Sequence, residues 1–273
     1  MPKLQEQLES ALNVLRSKIS NKPKYGIVLG TGLGNLVQRI KNPISFPYDK
    51  LPGFPTSTVK THKGQLTFGQ FNGQEVVVME GRFHYYEGYS TRQITFPIRV
   101  MKDLGIETII LTCAAGSMNP ATMPGQVVIL RDHVYLIPES PLRGPNIDSQ
   151  GPRFPDMSNP YDLEIIKLVQ EVLSKKHNTP IPTGILATVP GPQLETSAEY
   201  RALSQMADLV CMSTAPEVIV ARHCGLKVAA FAVVTDQCVW DNLHPITLDE
   251  IIENANKGAQ ILEPLLYDLI GSL

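Results

Sequence analysis

The 273-residue sequence predicts an α/β fold, a mixed and largely parallel central sheet flanked by helices. Apolar runs of strand length recur along the chain, and most are followed by a stretch of helical periodicity. A glycine-rich turn closes the first such run directly, as a sharp exit from a buried strand requires. Hydrophobic residues at 43% and charged residues at 18% suit a packed core and exclude a disordered chain.

Leu4, Leu8, Leu12, Leu15 and Ile19 recur at helical spacing, which predicts an amphipathic flanking helix over 3–20. Residues 24–29 read as a buried strand and 30–34 as a tight turn. Segments 65–71 and 74–79 alternate around Asn72-Gly73, a two-residue hairpin signal. Further strands are predicted at 108–112, 126–130, 184–189, 208–212 and 227–234, with helices at 162–176, 196–206, 215–224 and 248–269. Thr214-x-x-Glu217, with Pro216 in the first turn, and Thr247-x-x-Glu250 read as capping boxes. Gly225 suits a helix end. The stretch 138–160, rich in proline and glycine, is the one long irregular region and is expected to be functional or a subunit contact. No linker or repeat divides the chain, so one domain over 1–273 is expected.

A net charge of −2 argues against a nucleic-acid partner, so any anion site must come from a few placed residues. No apolar leader or membrane-length run is present, and a cytoplasmic protein is expected. Cys113, Cys211, Cys224 and Cys238 are widely spread with no CxxC pair, which favours reduced thiols over a metal site.

Several segments carry candidate chemistry. Gly30-Thr31-Gly32-Leu33-Gly34 can bring backbone N–H groups and the Thr31 hydroxyl to an anion, although a plain structural turn reads equally well. Its spacing is neither a dinucleotide fingerprint nor a P-loop. In Gly81-Arg82-Phe83-His84-Tyr85-Tyr86-Glu87-Gly88, an extended run would point Arg82 and His84 the same way, each toward one anion oxygen, with Tyr86 on the same face. Ala114-Ala115-Gly116 closes a strand with residues small enough for a ligand to lie on the main chain, or simply to pack. Ser213 and Thr214 precede a helix, where an anion or an ordinary cap is equally at home. Glu195 and Asp236 each place a carboxylate just beyond a strand. Together these predict a site at the carboxyl edge of one sheet.

In chain order, these segments resemble the trimeric purine nucleoside phosphorylases, together with Thr61-His62-Lys63-Gly64, Arg131-Asp132-His133, the stretch from Pro141 to Asn146, the stretch from Arg153 to Ser158, and Met212 to His223. The resemblance implies a phosphate site made of Thr31, Arg82, His84, the Ala114 amide and Ser213, with His62 on a phosphate-side loop. It places the ribose over Tyr86 and Met212, with Phe154 supplied by a neighbouring subunit. It places the purine against Leu194, Glu195, Thr235 and Asp236, and makes His84, Glu195 and Asp236 the catalytic set. It further implies no cofactor or metal, inorganic phosphate as co-substrate, a homotrimer, and a place in purine salvage.

Three departures from the family pattern bear on substrate. Asp236 stands where asparagine is usual for 6-oxopurine enzymes; an ionised carboxylate only accepts hydrogen bonds, so it would repel O6 and suit the amino group of adenine. Glu195, which would accept N1–H, favours 6-oxopurines instead. Leu194 replaces a phenylalanine. Leu248 falls at the position of a histidine that meets the ribose 5′-hydroxyl, with His244 nearby as a weak substitute. The expected reaction is phosphorolysis of inosine and guanosine, with 6-aminopurines admitted. The alternative is an adenosine or 5′-methylthioadenosine phosphorylase on the same phosphate site.

Overall fold

Tyr25–Val28 is buried at every position, which a strand achieves inside a sheet covered on both faces. This is β1 of a computed structural model that describes residues 2–56, 58 and 63–273. The other strands are β2 (Lys41–Pro47), β3 (Gln65–Phe71), β4 (Gln74–Glu80), β5 (Thr108–Ser117), β6 (Val127–Tyr135), β7 (Thr183–Thr188), β8 (Leu209–Cys211) and β9 (Lys227–Gln237). The helices are α1 (Pro2–Arg16), α2 (Thr91–Ile94), α3 (Phe96–Leu104), α4 (Leu163–Leu168), α5 (Ser174–Lys176), α6 (Ser197–Leu203), α7 (Ala215–His223) and α8 (Leu248–Ser272).

Among the described residues the strands form one sheet in the order β2-β3-β4-β1-β5-β8-β7-β6-β9, and β9 returns to pair with β5. The last five strands therefore close on one another. Pairings β1–β4, β1–β5, β5–β9, β6–β7 and β7–β8 are parallel, and β2–β3, β3–β4, β5–β8 and β6–β9 are antiparallel. The expected mixed, largely parallel sheet is what the chain forms. Helix α1 packs on α3, α3 on α7, and α8 along β9, so helices cover the sheet and complete its core.

Thr247 opens α8 as expected: its N–H donates to Glu250 Oε2 at 2.8 Å and its hydroxyl accepts from Glu250 N at 3.3 Å. The first helix is shorter than expected, ending at Arg16 where the backbone tightens to a Lys18 N–H to Leu15 O bond. The segment expected as one helix over 162–176 widens into a π-helical turn at Val169–Leu173. Residues 138–160 contain neither helix nor strand, yet they are fastened down. Gln150 donates to Asp103 at 2.8 Å, and Asn146 Oδ1 meets His223 Nε2 at 3.1 Å.

Candidate active site

The carboxyl ends of β1, β4, β5, β7, β8 and β9 converge on a cavity of about 400 Å³. Strand ends are where an α/β sheet leaves side chains and backbone N–H groups unclaimed by the ladder. Gly30 follows β1 so closely that a Cβ there would lie 2.9 Å from Thr112 O. Its N–H donates to Thr112 Oγ1 at 2.8 Å, and that hydroxyl donates to Val28 O at 2.9 Å. The turn carrying Thr31 is thus tied to the end of β5.

Arg82 is among the largest fully buried side chains of the described residues, 2% exposed. It does not lie in a strand as expected, because β4 stops at Glu80 and Gly81 turns the chain with φ 108°. The turn still aims Arg82 and His84 into one cavity. Arg82 Nη1 donates to Thr112 O at 2.6 Å and to Ser213 Oγ at 3.2 Å. Its Nε donates to Glu217 Oε1 at 3.3 Å, and Nη2 lies 3.1 Å from Glu217 Oε2. Burial raises the Glu217 carboxyl even though Arg82 and His84 pull it down. This two-point ion pair fixes the guanidinium plane in a place where water cannot compete.

Glu217 is therefore not half of a capping box. Thr214 makes no side-chain cap to α7 and has φ 69°, ψ −59°. With Ala215 N–H donating to Ser213 O at 2.8 Å, it is the centre of a γ-turn of the strained, positive-φ kind. For a β-branched residue this conformation is rare. Thr188 Oγ1, from the end of β7, donates to Ser213 O at 3.0 Å and braces the turn that presents the Ser213 hydroxyl beside Arg82.

His84 is held by Glu87. The His84 N–H donates to Glu87 Oε1 at 2.7 Å, and Nδ1 lies 3.0 Å from the same oxygen. Burial pushes the Glu87 carboxyl up, but hydrogen bonds from His84 and Thr58 outweigh it and hold it down at about 2. The imidazole stacks on Tyr86, with centroids 4.7 Å apart and planes 15° from parallel.

A β-bulge shapes the remaining wall. Along β5 and β9, Ala115 faces Val234 and Gly116 faces Asp236, which leaves Thr235 as the extra residue. A bulge bends its strand and re-aims the side chains beside it. Thr235 donates to Asp236 Oδ1 at 2.7 Å. Glu195, just before the Thr196 cap of α6, also lines the cavity; burial raises its carboxyl against the pull of a hydrogen bond from Tyr200.

The chain matches the phosphorylase superfamily over residues 24–270. It is 42% identical over 255 residues to purine nucleoside phosphorylase 1 of Bacillus subtilis (strain 168), covering 93% of this chain and 94% of that one. The purine nucleoside phosphorylase of Schistosoma mansoni in complex with inosine superposes with a TM-score of 0.92 at 38% identity, covering 98% of this chain and 96% of that one. The same protein in complex with adenosine gives 0.92 at 37% identity, covering 98% and 97%.

The chain belongs to the purine nucleoside phosphorylases.

As a member of that family, the chain brings Thr31, Arg82, His84, Tyr86, Ala114, Leu194, Glu195, Met212, Ser213, Thr235 and Asp236 to one cavity. Two expected residues are not on its wall, and a third falls outside what the structure describes. His62 lies outside the described residues. Phe154 is 86% exposed on the irregular stretch, away from the cavity of its own chain. His244 is exposed in the loop before α8, and Leu248 and Ile251 of that helix line the cavity instead. The helix begins at Leu248 because Thr247 caps it, so the leucine, on the first turn, is the side chain that reaches the site. Glu217 and Glu87 were not expected as site residues. The only sequence signal for Glu87 is its place in the segment that carries Arg82 and His84. Among the described residues, no group of three or more His, Cys, Asp or Glu is placed to hold a metal ion, and no helix is long and apolar enough to cross a membrane.

Proposed function

We propose that this phosphorylase cleaves purine nucleosides with inorganic phosphate, giving the free base and ribose 1-phosphate. The observation that carries the reading is a buried guanidinium, fixed by Glu217 and sharing a cavity with His84, Ser213 and the Ala114 backbone. Such a set of donors matches the oxygens of a phosphate. A phosphate dianion held under the sugar does two things at once. It stabilises positive charge as the C1′–N9 bond breaks, and it is already positioned to form the new C1′–O bond. Thr31 adds a hydroxyl to the phosphate set, and His62 completes it from the phosphate-side loop.

Tyr86 and Met212 take the ribose, and Glu195 accepts N1–H of a 6-oxopurine. Asp236 faces the N7 edge, where the leaving base gains electron density and takes a proton from water, and the carboxylate accepts the resulting N7–H. Inosine and guanosine are the principal substrates, in keeping with the inosine complex of the related S. mansoni protein. Chain 1–273 acts as one domain that needs no metal or organic cofactor. It works in the cytoplasm in purine salvage as a homotrimer, with Phe154 of each subunit reaching a neighbour's ribose site; its 86% exposure in the single chain supports that part.

The test is release of hypoxanthine from inosine with and without orthophosphate. Stoichiometric ribose 1-phosphate, and no cleavage in phosphate-free buffer, is the expected result. Equal cleavage without phosphate would make the enzyme a hydrolase. Light scattering tests the trimer.

A further inference from the structure

The wall formed by Glu195, Tyr200, Asp236 and Cys238 contains a thiol to which phosphorolysis assigns no part. Cys238 is 3% exposed, and its Sγ donates to Asp236 Oδ2 at 2.9 Å. Thr235 Oγ1 donates to the other oxygen, Oδ1, at 2.7 Å. The carboxylate therefore carries one intramolecular donor on each oxygen, and its rotation is pinned from both sides.

The surroundings are built around this arrangement. A Cβ on Gly116 would lie 2.5 Å from Cys238 Sγ and 3.1 Å from Asp236 Oδ2, so the pair rests directly on the main chain of β5. Tyr200 and Glu195 line the same wall of the cavity as this pair. Burial, then the charge and hydrogen bond of Asp236, push the Cys238 thiol up, so it stays protonated and remains a donor.

We infer that Cys238 is a positioning residue that holds Asp236 as a hydrogen-bond acceptor toward the base, so that the site takes 6-aminopurine nucleosides alongside the 6-oxo class. The inference rests on the phosphorolysis proposed above. An ionised carboxylate offers about four lone-pair directions and no proton. With one direction on each oxygen occupied, each oxygen keeps another for a ligand. An exocyclic N–H at C6 fills it, whereas O6 brings a second acceptor. Alanine at 238 removes the donor from Oδ2 and lets the carboxylate turn. Serine restores a donor of nearly the same reach.

The experiment measures kcat and KM for adenosine, inosine and phosphate in the wild type, Cys238→Ala and Cys238→Ser. Cys238→Ala is expected to lower the adenosine-to-inosine ratio of kcat/KM about tenfold, the weight of roughly one hydrogen bond to a charged group. The KM for phosphate should stay within about twofold, and serine should recover most of the ratio. A wild type that does not cleave adenosine, an unchanged ratio in Cys238→Ala, or a serine variant as impaired as alanine would each overturn the inference. If Cys238→Ala does not fold, Cys238→Val fills the space without a donor and is read the same way. Failure of the underlying reading looks different: inosine itself would show no phosphate-dependent cleavage in the wild type.

Discussion

Glu217→Gln isolates the ion pair that positions Arg82 in the proposed phosphate site. Glutamine keeps the length and one acceptor of the side chain, so the contact at 3.3 Å to Arg82 Nε survives while the charge is lost. Arg82 would keep Thr112 O at 2.6 Å and Ser213 Oγ at 3.2 Å, but the negative charge that Glu217 sets beside it would be gone. Breaking a buried pair from one side costs about 3–5 kcal/mol. The surviving neutral hydrogen bonds place this case at the lower end, about 3 kcal/mol. At roughly 2–4 °C per kcal/mol for a chain of this size class, the apo enzyme should melt about 6–12 °C lower. Phosphate reverses part of that loss, because a dianion at Arg82 supplies the missing charge; ligand at about 100 times its Kd contributes roughly 2.7 kcal/mol. The assay is thermal unfolding across a phosphate titration, alongside the KM for phosphate. The expected signature is tighter phosphate binding by Glu217→Gln: at one fixed phosphate concentration its Tm rises further above its own apo value than the wild type's does. A variant that melts with the wild type and has the same KM for phosphate would refute the role given to Glu217.

Three further predictions follow from the same geometry. Glu87 is held at about 2 against an ordinary 4.5, so its folded-state pKa is depressed, and the stability it contributes is present above 4.5 and lost as pH falls toward 2; Glu87→Gln should flatten acid unfolding in that window, and a superimposable pH–stability curve would contradict it. Burial raises Glu195, so the acid limb of kcat/KM for inosine should lie above the ordinary carboxylate range and disappear in Glu195→Gln; a limb that persists in that variant belongs to another group. Thr188→Val removes the 3.0 Å bond to Ser213 O and should cost about 1 kcal/mol, with a several-fold lower kcat/KM at subsaturating phosphate; unchanged kinetics would show that the γ-turn needs no brace.

What was legible in the sequence, and what was not, divides by range. Thr31, Arg82, His84, Ala114 and Ser213 stand just beyond apolar runs, and parallel strands bring such positions to one edge, so their meeting in a single cavity followed from local pattern plus sheet topology. The Glu217–Arg82 pair spans 135 residues, and no periodicity reports it; the local Thr214-x-x-Glu217 spacing suggested a cap that the γ-turn displaced. Strand β2 escaped notice because nearly all its side chains are exposed, leaving no apolar alternation to read. Helix α3 was hidden by Pro97, which sits in its first turn where it is tolerated. The bulge at Thr235 and the thiol on Asp236 depend on the register of β5 against β9, which exists only once the sheet has closed.

The central claim is that Arg82, His84, the Ala114 amide and Ser213 hold orthophosphate beneath the sugar. A crystal structure of the enzyme with orthophosphate and an unreactive nucleoside analogue tests it directly. The account predicts phosphate within hydrogen-bonding distance of Arg82, His84 and Ser213, with one oxygen facing C1′. Phosphate bound elsewhere, or that cage unoccupied beneath a bound nucleoside at saturating orthophosphate, would contradict it.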